Sequence, residues 1–214
     1  MAYRQTPAVQ ARLEDTRERI LKAARSLVSE GGWQQAQVAS VANVAGIATG
    51  TVYRYFASKA ELFAEVLSMV SQREVDVIMA IVSSEGDATT RLHVAVKTFV
   101  KRALRNPRLA YALIAEPCEP EIDAARLTYR AALSKAIKTL IIQGQETGEF
   151  HNDTDANIAA SVIVGGFMEG LIGPLSPLNH THQQQHNDQA EQVVMQIATQ
   201  SCRSVSLTPL LEET

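Results

Sequence analysis

Side chains able to contact a nucleic acid are concentrated between residues 46 and 63. They are Thr49, Gly50, Thr51, Tyr53, Arg54, Tyr55 and Lys59. Hydroxyl, guanidinium and ammonium groups donate hydrogen bonds to phosphate oxygens, and an arginine can donate two at once to the edge of a guanine. A glycine among them lets the backbone approach a groove closely. These residue types therefore suit contacts with the phosphates and the base edges of DNA.

Two short helices joined by a tight turn are predicted to position these side chains. The first carries Val38, Val41, Ala42 and Ala45 and is closed by Gly46; the second spans roughly residues 49–56. Glycine suits such a turn because a side chain there would strain the backbone. Gln37 and Ser40, near the start of the first of these helices, are further phosphate-contact candidates. Val52 and Phe56 are predicted to be core residues.

The charge distribution also favours nucleic acid as a partner. The chain has a net charge of −3, yet residues 1–60 carry +4 and the remainder carries −7. A basic head on an acidic body is expected of a modular DNA-binding protein. The prediction is a DNA-binding domain over residues 1–57, with residues 1–13 as a flexible arm, followed by a larger domain over residues 58–214.

The hydrophobic periodicity indicates an all-α fold of about nine helices without a convincing strand. The first helix is predicted over about residues 15–29, and Gly31 and Gly32 end it. Ser58 and Glu61 have the spacing of a capping box, which opens a long fourth helix. Asp87 is predicted to cap the fifth helix, and the dipeptide at residues 106–107 to end it.

The head resembles the TetR (tetracycline-repressor-type) family of bacterial transcriptional regulators. Matching positions include Ile20-Leu21, Ala23-Ala24, Gly32, Val41-Ala42, Ala45-Gly46, Gly50, Tyr53, Tyr55-Phe56, Lys59 and Leu62-Phe63. The resemblance implies a helix-turn-helix whose recognition helix places Thr49, Gly50 and Thr51 nearest the base edges. It further implies that Tyr53 contacts backbone or bases, that Arg54 points into the same groove, and that Tyr55 and Lys59 contact phosphates.

Two positions depart from the family pattern. Gln37 replaces the usual threonine and Ala48 the usual serine, and both family residues cap helices. An alanine at a cap typically costs ~1 kcal/mol. Thr49 is therefore an alternative cap for the third helix, one residue later.

A ligand-binding and dimerisation domain is what the resemblance implies for the body. A small molecule is expected between its helices, where such sites are common. The predicted lining residues are Phe99, Ala103, Tyr111, Ile114, Leu127, Arg130, Phe167 and Met168, with Glu116, Arg126, Arg130 and Glu169 as polar anchors. The expected effector is mostly aliphatic or a modest-sized aromatic compound.

Helices over residues 155–175 and 189–205 are predicted to form a homodimer interface. The first is apolar on most of its circumference, which predicts burial on several sides. The linker between them contains His180, His182 and His186, whose spacing matches no closed zinc pattern. The linker is predicted to be a solvated loop, and no metal or cofactor is expected.

Several function classes are disfavoured by what the sequence lacks. It contains no nucleophile elbow, phosphate loop, HExxH or paired catalytic carboxylates, so an enzyme is not expected. No membrane span or signal peptide is recognised, and the two distant cysteines favour a cytoplasmic protein. The main hypothesis is a ligand-responsive repressor that binds a palindromic operator. A regulator without a small-molecule ligand (partner-controlled or architectural) and a transcriptional activator remain alternatives.

Overall fold

The computed structural model describes residues 6–177 and 186–206, which form nine helices. They are α1 (Pro7–Gln35), α2 (Val38–Ala45), α3 (Thr49–Tyr55), α4 (Lys59–Val82), α5 (Ala88–Arg105), α6 (Pro107–Ile114), α7 (Pro120–Glu146), α8 (Ala156–Leu175) and α9 (His186–Arg203). The predicted all-α fold of about nine helices is confirmed, although α1, at 29 residues, is far longer than predicted. Among the described residues, β-type pairing is limited to one isolated antiparallel bridge between Phe150 and Ser206.

Residues 7–13 are helical, which contradicts the predicted flexible arm over residues 1–13 for that part, and residues 1–5 lie outside the described residues. Helix α1 begins at Pro7, after an extended Thr6. Proline suits the first helical position because its fixed φ matches the helix and its missing N–H needs no partner there. The prediction overlooked this start signal.

The end of α1 is bent at Gly32. This residue has φ 74° and ψ −170°, outside helical geometry, and a helical segment resumes and runs to Gln35. A positive φ is accessible to glycine at little cost because it has no Cβ. The predicted break therefore lies where expected, although the helix continues beyond it.

Side-chain caps fix the starts of α4, α5 and α6. The Ser58 hydroxyl accepts a hydrogen bond from Glu61 N at 3.0 Å, and the Asp87 carboxylate accepts one from Thr90 N at 2.6 Å. Both were predicted from the sequence. Asn106, predicted only to end α5, also caps α6 by accepting from Leu109 N at 3.2 Å.

The buried apolar residues form two clusters. The head core contains residues of α1 to α3 and of the first half of α4, together with Leu109, Ala112 and Ile122 from α6 and α7. The body core contains residues from the second half of α4 and from α5 to α9. The head is therefore packed directly onto α6 and α7, so that α4 is one of several connections between head and body.

Helix α8 has one buried face and one exposed apolar face. Phe167 and Leu171 are buried, whereas Ile158 and Val162 are 65% and 59% exposed. In the single chain α8 is therefore buried on one side, and burial of its other side by a dimer partner stays a prediction. By length and composition α8 could cross a membrane, a test that the core helices of soluble proteins also pass.

Candidate nucleic-acid interface and ligand cavity

The turn between α2 and α3 depends on the backbone conformation of Gly46. Its φ of 67° and ψ of 39° are left-handed, and its N–H is directed at the carbonyls of Ala42 and Asn43. Ile47 N donates to Ala42 O at 3.0 Å. These bonds close the end of α2. Arg19 from α1 adds a bond from Nη2 to Ala45 O at 2.5 Å, so the turn is held from both sides.

Helix α3 presents an outer face of exposed polar and aromatic side chains. Thr49, Gly50 and Arg54 are exposed, Tyr53 is 50% exposed, and no heavy atom of the described residues lies within 4 Å of a Cβ added at Gly50. A half-exposed tyrosine beside an exposed arginine leaves aromatic surface and donors available to a partner.

The inner face of α3 holds the helix on the head. Val52 and Phe56 are buried in the head core, as predicted. Thr51 and Tyr55 are half-buried, and Tyr55 packs against the head core. The structure thus brings the predicted α3 contact residues onto one outward side, with Tyr55 at its edge.

The starts of α2 and α3 have no capping side chain. Gln37 precedes α2, is exposed, and donates from Nε2 to Gln34 O at 2.9 Å instead of capping. Ser40 is half-buried on α2. Ala48 is the residue before α3, and Thr49 is its first helical residue. The alternative in which Thr49 caps α3 is therefore wrong, because α3 begins one residue earlier.

Lys59 begins α4 at the boundary between head and body. Its Nζ lies 3.5 Å from Glu119 Oε1 and 5.8 Å from the centre of the Phe63 ring. Arg17, another basic residue of the head, pairs with Glu65 of α4. Part of the positive charge of the head is thus paired with acidic side chains of the same protein. A phosphate would have to compete with Glu119 for Lys59.

The junction between head and body contains a cluster that the sequence did not reveal. Arg108 donates to Glu116 at 2.7 and 3.0 Å and to Gly31 O at 2.7 Å. Trp33 is buried and donates from Nε1 to Ala112 O at 2.7 Å and from its backbone N to Glu116 at 3.2 Å. We call Gly31, Trp33, Arg108 and Glu116 the junction cluster. It joins α6 to the bent end of α1.

A cavity in the body lies between α4, α5, α6 and α7. About 70 Å³ of it admits water-sized molecules, within about 470 Å³ of empty space that includes its open mouth. Phe99, Ala103 and Ile114 line it, as the prediction placed them. Phe167 lies behind this wall, its ring centre 4.7 Å from that of Phe99, and Met168 is buried in the body core.

The other predicted lining residues lie away from the cavity. Leu127 is 59% exposed on the outside of α7. Tyr111 is half-buried, with the Arg108 guanidinium 6.0 Å from its ring centre. Arg130 donates to Ile114 O at 3.1 Å, and Arg126 is buried and donates to Leu113 O at 3.0 Å. These arginines therefore bind the carbonyls at the end of α6, as cations near a helix C-terminus commonly do.

The remaining predicted anchors also have other positions. Glu116 belongs to the junction cluster, and Glu169 is exposed on the outer face of α8. Neither lines the cavity.

The polar groups that do line the cavity were absent from the prediction. They are Ser71 and Glu74 of α4, Arg102 of α5, Asn106 before α6 and Tyr129 of α7. Arg102 binds both carboxylate oxygens of Glu74, at 2.5 and 2.8 Å. Burial, with Glu74 nearby, raises the pKa of Tyr129 far above its ordinary value, so this side chain is a neutral phenol. The signal for Ser71 was its position on the apolar stripe of α4, between Leu67 and Val75.

The part of the predicted solvated loop that contains His180 and His182 lies outside the described residues. His186 is not in a loop as predicted, since it is the first residue of α9, and its side chain is not described. Within the ranges 6–177 and 186–206, no group of three or more His, Cys, Asp or Glu side chains could hold a metal ion.

Two family models match the two parts of the chain. The model of bacterial regulatory proteins of the tetR family matches residues 20–66, and that of the tetracyclin repressor-like C-terminal domain matches residues 85–169. The first covers the helix-turn-helix and the second most of the body, and together they span more than half of the sequence. The chain belongs to the TetR family. Its predicted membership is therefore confirmed.

Curated relatives agree with this assignment. The HTH-type transcriptional repressor KstR of Mycolicibacterium smegmatis is 33% identical over 99 residues, which are 46% of this chain and 48% of that protein. The fatty acid metabolism regulator protein of Bacillus subtilis is 22% identical over 153 residues, or 68% of this chain and 76% of that protein. The matched region of the chain therefore spans about half the length of KstR. The family that the chain belongs to is one of bacterial regulatory proteins.

A solved structure of a relative shares the fold. The transcriptional regulator FadR from Bacillus subtilis, in complex with stearoyl-CoA, has a TM-score of 0.71 with 18% sequence identity. The similarity covers 85% of this chain and 97% of that one. At this identity the similarity concerns the fold alone.

Proposed function

We propose that this TetR-family protein is a repressor that binds a palindromic operator as a homodimer and releases it when a small molecule occupies the body cavity. DNA reading is assigned to residues 1–57 and control to residues 58–214, in the cytoplasm. The observation that carries the proposal is the position of the cavity, because three of the helices that form its walls, α4, α6 and α7, also pack against the DNA-reading head.

The outer face of α3 supports DNA reading. Tyr53 and Arg54 are exposed on it, and Gly50 leaves the backbone accessible. Arg54 is assigned to a base edge, since a guanidinium can donate two bonds to a guanine. Thr49, Thr51, Tyr55, Gln37 and Ser40 are assigned to the rim of this surface.

The outer face of α8 supports the homodimer. Ile158 and Val162 are exposed, and an added Cβ at Gly165, Gly166 or Gly173 would meet no described atom within 4 Å. Exposed apolar residues beside glycines permit close packing of a second helix. Two heads joined in this way could reach two half-sites of an operator at once, which a palindromic site requires.

The junction cluster supplies a route from the cavity to the head. Helix α6 lines the cavity with Leu109, Ala110, Leu113 and Ile114, and its Arg108 binds Gly31 O of α1. A ligand that displaces α6 would therefore act on the bent end of α1 as well as on α4. Release follows only if the ligand binds better to the arrangement that does not fit DNA.

Binding of the purified protein to its own upstream DNA tests the proposal. We expect retardation that weakens with salt, because phosphate contacts release counterions. Arg54→Ala should cost about 1–3 kcal/mol on the operator and little on random DNA. Lys59→Ala should weaken both alike and reduce the salt slope by about 1.

Three results would count against parts of the proposal. Equal losses for Arg54→Ala on specific and random DNA would place Arg54 on a phosphate. Absence of binding to any upstream fragment at low salt would remove the proposed function. Stimulated transcription from a bound upstream site would replace the repressor with the activator.

A further inference from the structure

We infer that the body cavity selects an uncharged compound of about one ring, whose single hydroxyl or carbonyl group hydrogen-bonds to Ser71. The inference rests on the proposed function only in treating this compound as the effector. The binding site itself follows from four features of the cavity: an unpaired hydroxyl, a closed ion pair, an apolar lining and a small volume.

The unpaired hydroxyl is that of Ser71. This residue is 3% exposed, lines the cavity, and its Oγ has no hydrogen-bond partner in the described structure. A buried hydroxyl without a partner is unfavourable, because it loses its bonds to water and gains none in return. A ligand that offers a donor or an acceptor to Ser71 recovers this loss, whereas a hydrocarbon of the same shape does not.

The closed ion pair excludes charged ligands. Arg102 Nε and Nη2 bind the two oxygens of Glu74 at 2.5 and 2.8 Å, and both residues line the cavity. The two side chains are 34% and 21% exposed, so the pair is half-buried. An anion that replaces Glu74 at these two nitrogens leaves the carboxylate without its partner, and a cation that replaces Arg102 leaves the guanidinium without its own. Breaking such a pair is unfavourable, so a neutral ligand is preferred.

The lining explains the preference for an apolar skeleton. It includes the apolar side chains of Val70, Phe99, Leu109 and Leu113. Tyr129 remains a neutral phenol and adds no charge. Apolar walls with one or two convergent polar groups are typical of sites that bind and orient a small molecule.

The volume limits the size of the ligand. About 70 Å³ admits water-sized molecules, whereas a buried cavity of about 150 Å³ holds benzene. A single ring therefore needs the cavity to widen to about twice this volume. The short helix α6 is the wall that can move, because it is eight residues long and flanked by Asn106 and Ala115, neither of which is helical. A long acyl chain would need a far larger rearrangement.

The test uses four probes of similar size: benzyl alcohol, toluene, benzoate and benzylamine. Binding to the full-length protein is measured by calorimetry at pH 7, where benzoate is an anion and benzylamine a cation. Benzyl alcohol should bind most tightly, and the two charged probes at least tenfold more weakly. Ser71→Ala should weaken benzyl alcohol about three- to tenfold, the effect of one hydrogen bond, and leave toluene within twofold.

A second variant tests whether the probes bind in this cavity and not elsewhere on the protein. Ala103 lines the cavity, and Ala103→Trp should fill it and abolish binding of benzyl alcohol and toluene alike. Circular dichroism must show that each variant is folded. The inference is overturned if benzyl alcohol does not bind, if benzoate or benzylamine binds as tightly, or if Ser71→Ala leaves benzyl alcohol unaffected.

Operator release is measured separately with the same probe. Benzyl alcohol that binds and depends on Ser71, yet leaves the protein on DNA, would support the cavity assignment and contradict ligand-controlled repression. Operator binding without any binding of benzyl alcohol would contradict the cavity assignment and leave the DNA-binding function intact.

Discussion

The two glycines of the helix-turn-helix should respond in opposite directions to the same substitution. Gly46 has a φ of 67° and a ψ of 39°, a conformation that costs an L-residue roughly 1–2 kcal/mol. Gly50 lies inside α3 and has no positive φ, so alanine there is favoured by roughly 0.5–1 kcal/mol. Gly46→Ala should destabilise the protein and Gly50→Ala should stabilise it.

Steric contact contributes little to either change. A Cβ added at Gly46 would lie 3.6 Å from Arg19 Nη2, an ordinary contact, and one at Gly50 would meet no described atom within 4 Å. The expected difference between the two variants, about 1.5–3 kcal/mol, therefore comes from backbone conformation. Gly46→Asn is the matched control and should cost less than Gly46→Ala, because asparagine tolerates the left-handed region.

Urea unfolding followed by circular dichroism measures this difference. The protein concentration must be equal for all variants, since dimerisation would contribute to stability. Gly46→Ala should lower the urea midpoint and Gly50→Ala should raise it. A Gly46→Ala midpoint equal to that of the wild type, or a lowered one for Gly50→Ala, would refute the backbone argument. Operator binding gives a second result: Gly50→Ala should bind more weakly despite its greater stability, because its methyl group faces the DNA-reading side.

The remaining predictions concern the dimer, the junction cluster and a helix cap. Val162→Glu should weaken dimerisation about a hundredfold by burying a charge, and Met79→Glu, equally exposed on α4, should remain dimeric in light scattering. Glu116→Gln should lower the free energy of unfolding by about 1–3 kcal/mol, and Asp123→Asn, whose own side chain is exposed, by less than about 0.5 kcal/mol in urea titrations. Hydrogen bonds from Thr90 lower the pKa of Asp87, so Asp87→Ala should cost about 1 kcal/mol at pH 7 and progressively less below about pH 4, as thermal unfolding would show.

Local chemistry explains which parts of the fold could be predicted. The turn at Gly46 and the caps at Ser58 and Asp87 involve only residues a few positions away in the sequence. They could therefore be predicted from the sequence. The packing of helix α8, in contrast, could not be predicted from local sequence. Its apolar circumference indicates burial, but which side packs on the body and which is exposed depends on the positions of the other helices.

The cavity was harder to predict because its polar groups come from separate helices. Glu74 and Arg102 are 28 residues apart, and only the packing of α4 against α5 brings them together. Leu127, a predicted lining residue, is exposed because the buried stripe of α7 passes through Arg126 and Tyr129 instead.

Trp33 also makes the junction cluster optically accessible. It is the only tryptophan of the chain, it is buried, and its indole N–H is bonded to Ala112 O of α6. The emission wavelength of an indole depends on the polarity around the ring. Because Trp33 is the one tryptophan, all tryptophan fluorescence of the protein reports on the place where head and body meet. A shift of α6 against α1 would therefore change the emission wavelength of the unlabelled wild-type protein. Conformational coupling between the two parts could thus be followed in real time, without a dye and without a substitution.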